Sequence, residues 1–114
     1  MPGAVRPRDR RLHEGWQFRE VYQSGKSIHG TLMTLVSLSR CPDHGRVAFV
    51  AGRKVGPAVR RNRAKRLLRE SFRSQPPSVR ERAWRVWIAR PGCGTATLDN
   101  VSAEMRDLLK REPA

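Results

Sequence analysis

Residues 52–73 read GRKVGPAVRRNRAKRLLRESFR. The stretch holds nine Lys or Arg (Arg53, Lys54, Arg60, Arg61, Arg63, Lys65, Arg66, Arg69, Arg73) against one acid, Glu70. Val59, Ala64, Leu67, Leu68 and Phe72 run through the same segment. At ~100° per residue, Ala64, Leu67, Leu68 and Ser71 fall within one narrow arc of a helix. Asn62, Lys65, Arg66, Arg69 and Arg73 fall nearly opposite, and Arg61 and Arg63 flank the boundary. Pro57 suits the first turn, where its missing N–H would have no partner anyway. The following Gln-Pro-Pro stops the helix, which is expected over 57–74. A merely solvated face would alternate charge sign, because like charges at i, i+4 each cost ~0.2–0.5 kcal/mol. Here Arg61–Lys65, Lys65–Arg69 and Arg69–Arg73 all repel. The pattern points to a helix whose apolar stripe seats it on a core and whose outer face meets phosphates.

The elements on either side build a small domain. Phe18, Val21 and Tyr22 at i, i+3, i+4 predict a first helix over 14–24, with Gly25 as its stop. The Thr-, Val- and Leu-rich run predicts a strand over 32–38, with a short lead-in strand near Ile28. After the turn 39–45, RVAFV is a second long strand, and the order suggests that the two long strands form an antiparallel hairpin. Residues 83–90 read as a further strand. Thr97 is placed to cap a last helix in which Leu98, Val101, Met105, Leu108 and Leu109 keep a 3.6 period. The expected fold is an α/β (α+β) two-layer sandwich, one sheet with helices covering most of it. The chain divides into a flexible basic arm (1–11), one folded RNA-binding domain (12–110) and a short tail (111–114).

The whole chain of 114 residues has a formal net charge of +14, which selects a polyanion as partner. No run approaches the ~18 apolar residues of a membrane span, and no signal-peptide pattern opens the chain, so a cytoplasmic protein is expected. Cys41 and Cys93 lack the spacing of a zinc site and read as reduced thiols. His13, His29 and His44 are scattered and read as surface residues. With ten acids in all and no dense cluster of them, nothing suggests metal or acid–base catalysis. Trp16, Trp84 and Trp87 are large aromatics that could stack on bases but read more readily as packing. Charge and periodicity leave several roles open: a small basic ribosomal-type rRNA-binding protein, a DNA-binding helix, or another RNA-binding module.

The residues themselves narrow this. Lys54, Gly56, Ala58, Val59, Arg61, Asn62, Arg63, Lys65, Arg66, Arg69, Glu70 and Phe72 closely resemble the signature of the bacterial ribonuclease P protein family, K-x-G-x-A-V-x-R-N-R-x-K-R-x-x-R-E-x-[FY]. The likeness continues upstream in RLHEGWQFREVYQSGKSI and downstream in RVAFVAGRKVG and VWIARPG. It implies αβββαβα order with a mixed sheet and a left-handed βαβ crossover through the Arg-Asn-Arg helix. It also implies a protein that assists a catalytic RNA in removing the 5′ leader of precursor tRNA, as the protein subunit of an endoribonuclease, without being catalytic itself. The partners implied are the ribonuclease P RNA subunit and precursor tRNA, with no membrane and no obligate protein partner. Mg²⁺ would be held mainly by the RNA, with none bound by the protein alone. Carried over position by position, Arg53, Lys54, Arg60, Arg61, Asn62, Arg63, Lys65, Arg66 and Arg69 form the RNA-docking set. Phe18, Tyr22 and Val36 fall in the cleft for the single-stranded leader. Val36 stands where family members often have an aromatic, and Val50, Ala51 and Gly52 replace a frequent Ser-x-Ser.

Overall fold

The computed structural model describes residues 10–40 and 42–113. The expected arm falls mostly on residues 1–9, outside the described residues, as does Cys41. The elements in order are α1 (Gly15–Ser24), β1 (Lys26–His29), β2 (Met33–Leu38), β3 (Arg46–Val50), a 3₁₀ turn (Arg53–Val55), α2 (Ala58–Arg73), a one-turn helix α3 (Pro77–Arg80), β4 (Trp84–Ala89), a second 3₁₀ turn (Pro91–Thr95) and α4 (Leu98–Lys110). The α+β class and the αβββαβα order of the main elements match the expectation, and the short lead-in strand is β1 itself.

The strand pairing corrects one expectation. The sheet order is β1-β2-β4-β3, so β2 and β3 are not hairpin partners. The hairpin is β1–β2, with Ile28 opposite Leu35, and β4 inserts between the two long strands. It pairs antiparallel with β2 and parallel with β3, so β3–α2–β4 is a parallel crossover unit. The physical reason lies in burial. Five of the six β4 residues are buried, which suits a strand covered on both faces, whereas all five β3 residues are only half-buried, as at an edge. Part of that edge is covered: Arg11 bridges Val47, and Leu12 N–H donates to the Val47 carbonyl at 3.1 Å.

The two faces of the sheet differ in depth. On one face, Leu35, Trp87 and Phe49 form a cross-strand row. This row packs with Leu67, Leu68 and Phe72 of α2 and Val101, Met105 and Leu108 of α4 in the larger core. On the other, Val36, Val86 and Ala48 form a row under α1, in a smaller cluster with Val21, Leu38 and Trp84. Local signals bound the helices where the sequence placed them in two cases. Thr97 accepts from the Asn100 N–H at 3.1 Å at the start of α4. Gly25 ends α1 but with φ of −80°, so it is not a left-handed cap. Its glycine is needed for space, since a Cβ there would sit 2.4 Å from the Val21 carbonyl oxygen and 2.8 Å from that of Ser37.

The folded unit continues past residue 110. Arg85 is fully buried in the middle of β4 and grips Glu112 with Nε at 2.7 Å from Oε2 and Nη2 at 2.9 Å from Oε1. Its Nη1 donates to the Val79 carbonyl at 2.7 Å, and the guanidinium carbon lies 5.9 Å from the centre of the Phe72 ring. Ser37 Oγ and Arg82 also donate to Glu112. Burial raises the Glu112 pKa, but these donors, Arg85 foremost, more than offset it and hold the carboxyl below its ordinary value.

Candidate RNA-binding surfaces

The first surface is the outer face of α2. Ala64, Leu67, Leu68, Ser71 and Phe72 are buried, as the 3.6 period required. Arg60, Asn62, Arg66, Arg69 and Arg73 are exposed, while Arg61, Arg63 and Lys65 are half-buried. Val59 is 79% exposed and takes no part in the core. Arg53 and Lys54 are exposed in the 3₁₀ turn just before the helix. That turn passes into α2 through Gly56 at φ of +129°, a conformation that L side chains rarely adopt. Among the described residues, none of these cations forms an ion pair with a carboxylate. Glu70 therefore gives no relief in ion-pair geometry, and the face stays cationic along its length.

One of the predicted docking residues also has a structural attachment. Arg63 Nη1 donates to the Gly94 carbonyl at 3.0 Å. Gly94 lies so close to α2 that a Cβ would meet Arg60 Cβ at 3.2 Å and Val55 Cγ1 at 3.1 Å. The loop 91–95 is thus pressed onto the start of α2, and it fixes the Arg63 side chain in place. Arg61 Nε is buried with no hydrogen-bond partner, an unpaired donor that is costly to keep from water.

The second surface lies between α1 and the sheet. Tyr22 is 49% exposed, and partial burial raises its phenol pKa above the ordinary value. Phe18, one turn earlier on the same helix face, is half-buried against the smaller cluster, together with Ala48, Val50 and Ile88. Because α1 lies over β2 and β4, the strip of Ala48, Val50 and Ile88 keeps accessible surface. Val36 is only 4% exposed, so its side chain supports the floor beneath α1 and does not line open surface. Trp84 and Trp87 are fully buried. Trp84 Nε1 donates to Asp43 Oδ1 at 3.1 Å and to the His44 carbonyl at 2.9 Å. Burial pushes Asp43 up, but hydrogen bonds from Arg46 and Trp84 leave its pKa below the ordinary value. Trp16 is 48% exposed and leans on Trp84, with ring centres 5.7 Å apart. It projects from the other flank of α1, ~160° around the helix from Phe18.

A third cationic locus escaped the reading of the sequence. Arg11, Arg46, Arg69, Arg73 and Arg80 line one cavity between α2 and β3. They come from four separate segments, so no local motif announces them.

Among the described residues, no group of three or more His, Cys, Asp or Glu could hold a metal ion, and no helix is long and apolar enough to cross a membrane. Cys93 is a free, buried thiol whose pKa is pushed up to about 11 by burial and then by Glu104, with Arg63 pulling the other way.

Comparison with known proteins shows the family and the fold. A Ribonuclease P protein component from Alkaliphilus metalliredigens is 31% identical over 101 residues, covering 89% of this chain and 91% of its own length. One from Desulfovibrio desulfuricans is 38% identical over 109 residues, covering 92% of this chain and 84% of its own. Among solved structures, the RNase P protein from Thermotoga maritima superposes with a TM-score of 0.77 at 28% identity, covering 91% of this chain and 98% of that one. A Staphylococcus aureus RNase P protein mutant superposes at 0.81 and 25% identity, covering 91% and 88%. The family model for Ribonuclease P matches residues 7–112, essentially the whole folded unit together with the ion pair that closes it, and the chain belongs to the ribonuclease P protein family.

Proposed function

We propose that this chain, the protein subunit of ribonuclease P, uses two separate surfaces in the removal of the 5′ leader from precursor tRNA. The outer face of α2, with Arg53 and Lys54 before it, docks on the RNA subunit through Arg60, Arg61, Asn62, Arg63, Lys65, Arg66 and Arg69. Guanidinium forks suit phosphates, and duplex RNA is recognised mostly through its shape and backbone. The groove beside α1 takes the unpaired leader, with Tyr22 and Phe18 as stacking surfaces and Val36 supporting them from below. The observation that carries this reading is the cationic face of α2, uncompensated by any carboxylate among the described residues.

The working site is the cytoplasm, where precursor tRNA is made. In this reading Mg²⁺ is held by the RNA subunit, and no step is assigned to a protein-bound metal. A ribosomal role, which charge alone would allow, is not favoured by membership of this family.

The test is reconstitution with the RNA subunit. Tyr22→Ala should weaken binding of precursor tRNA by the ~1–3 kcal/mol that a stacked base contributes, and leave binding of mature tRNA and assembly unchanged. Equal losses for precursor and mature tRNA would remove Tyr22 from the leader groove. The RNA-free chain should cleave neither precursor tRNA nor an unstructured mRNA. The mRNA arm is included because the Staphylococcus aureus protein is described as a mutant with defective mRNA degradation activity. Cleavage by the chain alone would overturn the assignment of catalysis to the RNA.

A further inference from the structure

The cavity between α2 and β3 has a volume of about 360 Å³ and lies on the sheet face opposite α1. Its inner wall is apolar, built by Val47, Phe49 and Phe72. The two phenyl rings meet edge to face, with centres 6.0 Å apart at 66°. Its rim is guanidinium. Arg69 places its guanidinium carbon 6.0 Å from the centre of the Phe49 ring. Arg80 is steered by its Nε bond to the Gln75 carbonyl at 3.0 Å, and Arg46 by Asp43 at 2.8 Å and the Arg11 carbonyl at 3.2 Å. Arg73 and Arg11 are exposed at the mouth. The single acid in the lining, Glu81, is 4.0 Å from Arg10.

Neither half of this lining is explained by the other. A bare anion would use the arginines and leave the phenyl wall wet. An apolar ligand would use the wall and leave Arg11, Arg69, Arg73 and Arg80, which have no carboxylate in ion-pair distance among the described residues, facing one another. A molecule with an aromatic ring and a phosphate satisfies both, and the volume falls in the ~300–1,000 Å³ range of small-molecule sites. Unstacked bases pack on aromatic rings and on Arg planes, and the Phe49–Arg69 pair offers both at once.

We propose that this cavity is a nucleotide site, taking one unstacked nucleotide with its base against Phe49 and Arg69 and its phosphate on Arg73, Arg80 and Arg11. The nucleotide is either a residue of a bound RNA or a free nucleotide. The site stands on the geometry of α2 and β3 and does not require that the outer face of α2 be the docking surface, although Arg69 is common to both.

The experiment titrates the isotopically labelled full-length chain with adenosine 5′-monophosphate, adenosine and inorganic phosphate, following backbone amides by NMR. Adenosine 5′-monophosphate should bind at least about tenfold more tightly than either fragment, since ring and phosphate each contribute. The shifts should centre on Val47, Phe49, Phe72 and Arg73. Arg73→Gln, at an exposed position, should weaken it about tenfold, and Arg106→Gln on α4, an equal loss of charge, should not. Phe49→Leu should lower affinity for the nucleotide and leave that for phosphate unchanged. Phosphate binding as tightly as the nucleotide, shifts centred elsewhere, or equal effects of Arg73→Gln and Arg106→Gln would each overturn the proposal. The same titration on the complex with the RNA subunit separates the sources: exclusion of the nucleotide assigns the cavity to a residue of the RNA, and continued binding assigns it to a free nucleotide. Affinity of Arg66→Gln for the RNA subunit, measured alongside at a docking residue outside the cavity lining, reports on the docking reading independently.

Discussion

Removing the Glu112 carboxylate tests the energetics of the fold most sharply. Glu112→Ala would leave the Arg85 guanidinium, fully buried in the central strand, without its counterion. Two charge-assisted hydrogen bonds, at 2.7 and 2.9 Å, would be lost at once. What remains to Arg85 is the Val79 carbonyl at 2.7 Å and the face of Phe72, which does not neutralise it. Breaking one partner of a buried pair costs ~3–5 kcal/mol. A domain of this size has ~5–15 kcal/mol in total, so the loss is a large fraction and should lower Tm by roughly 10–20 °C. The assay is urea and thermal unfolding followed by circular dichroism. A chain ended at residue 110 should show the same loss, because it lacks the same carboxylate. Replacing both partners, Arg85→Met with Glu112→Leu, should recover much of it, since no buried charge is then left alone. The pH dependence has a definite sign. The folded pKa of Glu112 lies below its unfolded value, so its contribution is complete above the unfolded value and is lost as pH falls through the folded one. The reasoning is refuted if Glu112→Ala unfolds within about 1 kcal/mol of the parent, or if the double variant is as unstable as the single one.

Three further outcomes follow from the same geometry. Each phosphate contact adds up to ~0.9 to the slope of log K against log salt, so Arg61→Ala with Arg66→Ala should reduce the slope for the RNA subunit by up to ~2; an unchanged slope would move docking off α2. Glu104 accepts from the N–H groups of Thr31, Leu32 and Met33 at 2.8, 2.7 and 3.0 Å, joining α4 to the β1–β2 turn. Glu104→Ala should therefore cost about 1–3 kcal/mol in denaturant unfolding, and should speed hydrogen exchange at those three amides before the rest of the sheet. Cys93, with its pKa pushed up to about 11, should resist iodoacetamide at pH 8 in the folded chain and react promptly in urea; fast labelling of Cys93 itself, told from Cys41 by peptide mass mapping, would contradict its burial.

What was legible in the sequence was local. The stripe of Ala64, Leu67, Leu68 and Ser71 follows from a 3.6 period, and the Thr97 cap from a side chain that reaches its own helix. The partners of strands were not local. Placing β4 between β2 and β3 required weighing which strand tolerates burial on both faces, and the clue was present in RAWRVWIAR, apolar on both sides apart from Arg85. Nothing local singled out Arg85, because its partner lies 27 residues on, near the end of the chain. Periodicity places a side chain on a face but says nothing of a counterion brought from a distant segment. The same limit hid the arginine-lined cavity, whose residues meet only through the β3–α2 packing. For Val36, the position was read as part of a cleft wall, and the structure puts it under α1 because β2 is an inner strand of the sheet.

The two surfaces proposed to face RNA are held by different means, and this decides how separable they are. On α2, Arg63 apart, which is tied to the Gly94 carbonyl, the residues that hold the helix and those that face outward are different ones: Leu67 and Leu68 are buried, whereas Arg66 and Arg69 are exposed. Exposed charges can therefore be removed there with little effect on folding, and relief of like-charge repulsion should even add slightly to stability. Beside α1, the same residues serve both ends. Phe18 is half-buried in the smaller cluster while it borders the groove, so its loss would loosen the helix and remove a stacking surface together. Tyr22, half-exposed, is the residue there whose removal bears mainly on binding. The thin packing under α1 is what the proposed leader groove requires: a helix that covered β3 as well would bury Ala48, Val50 and Ile88 and close the groove.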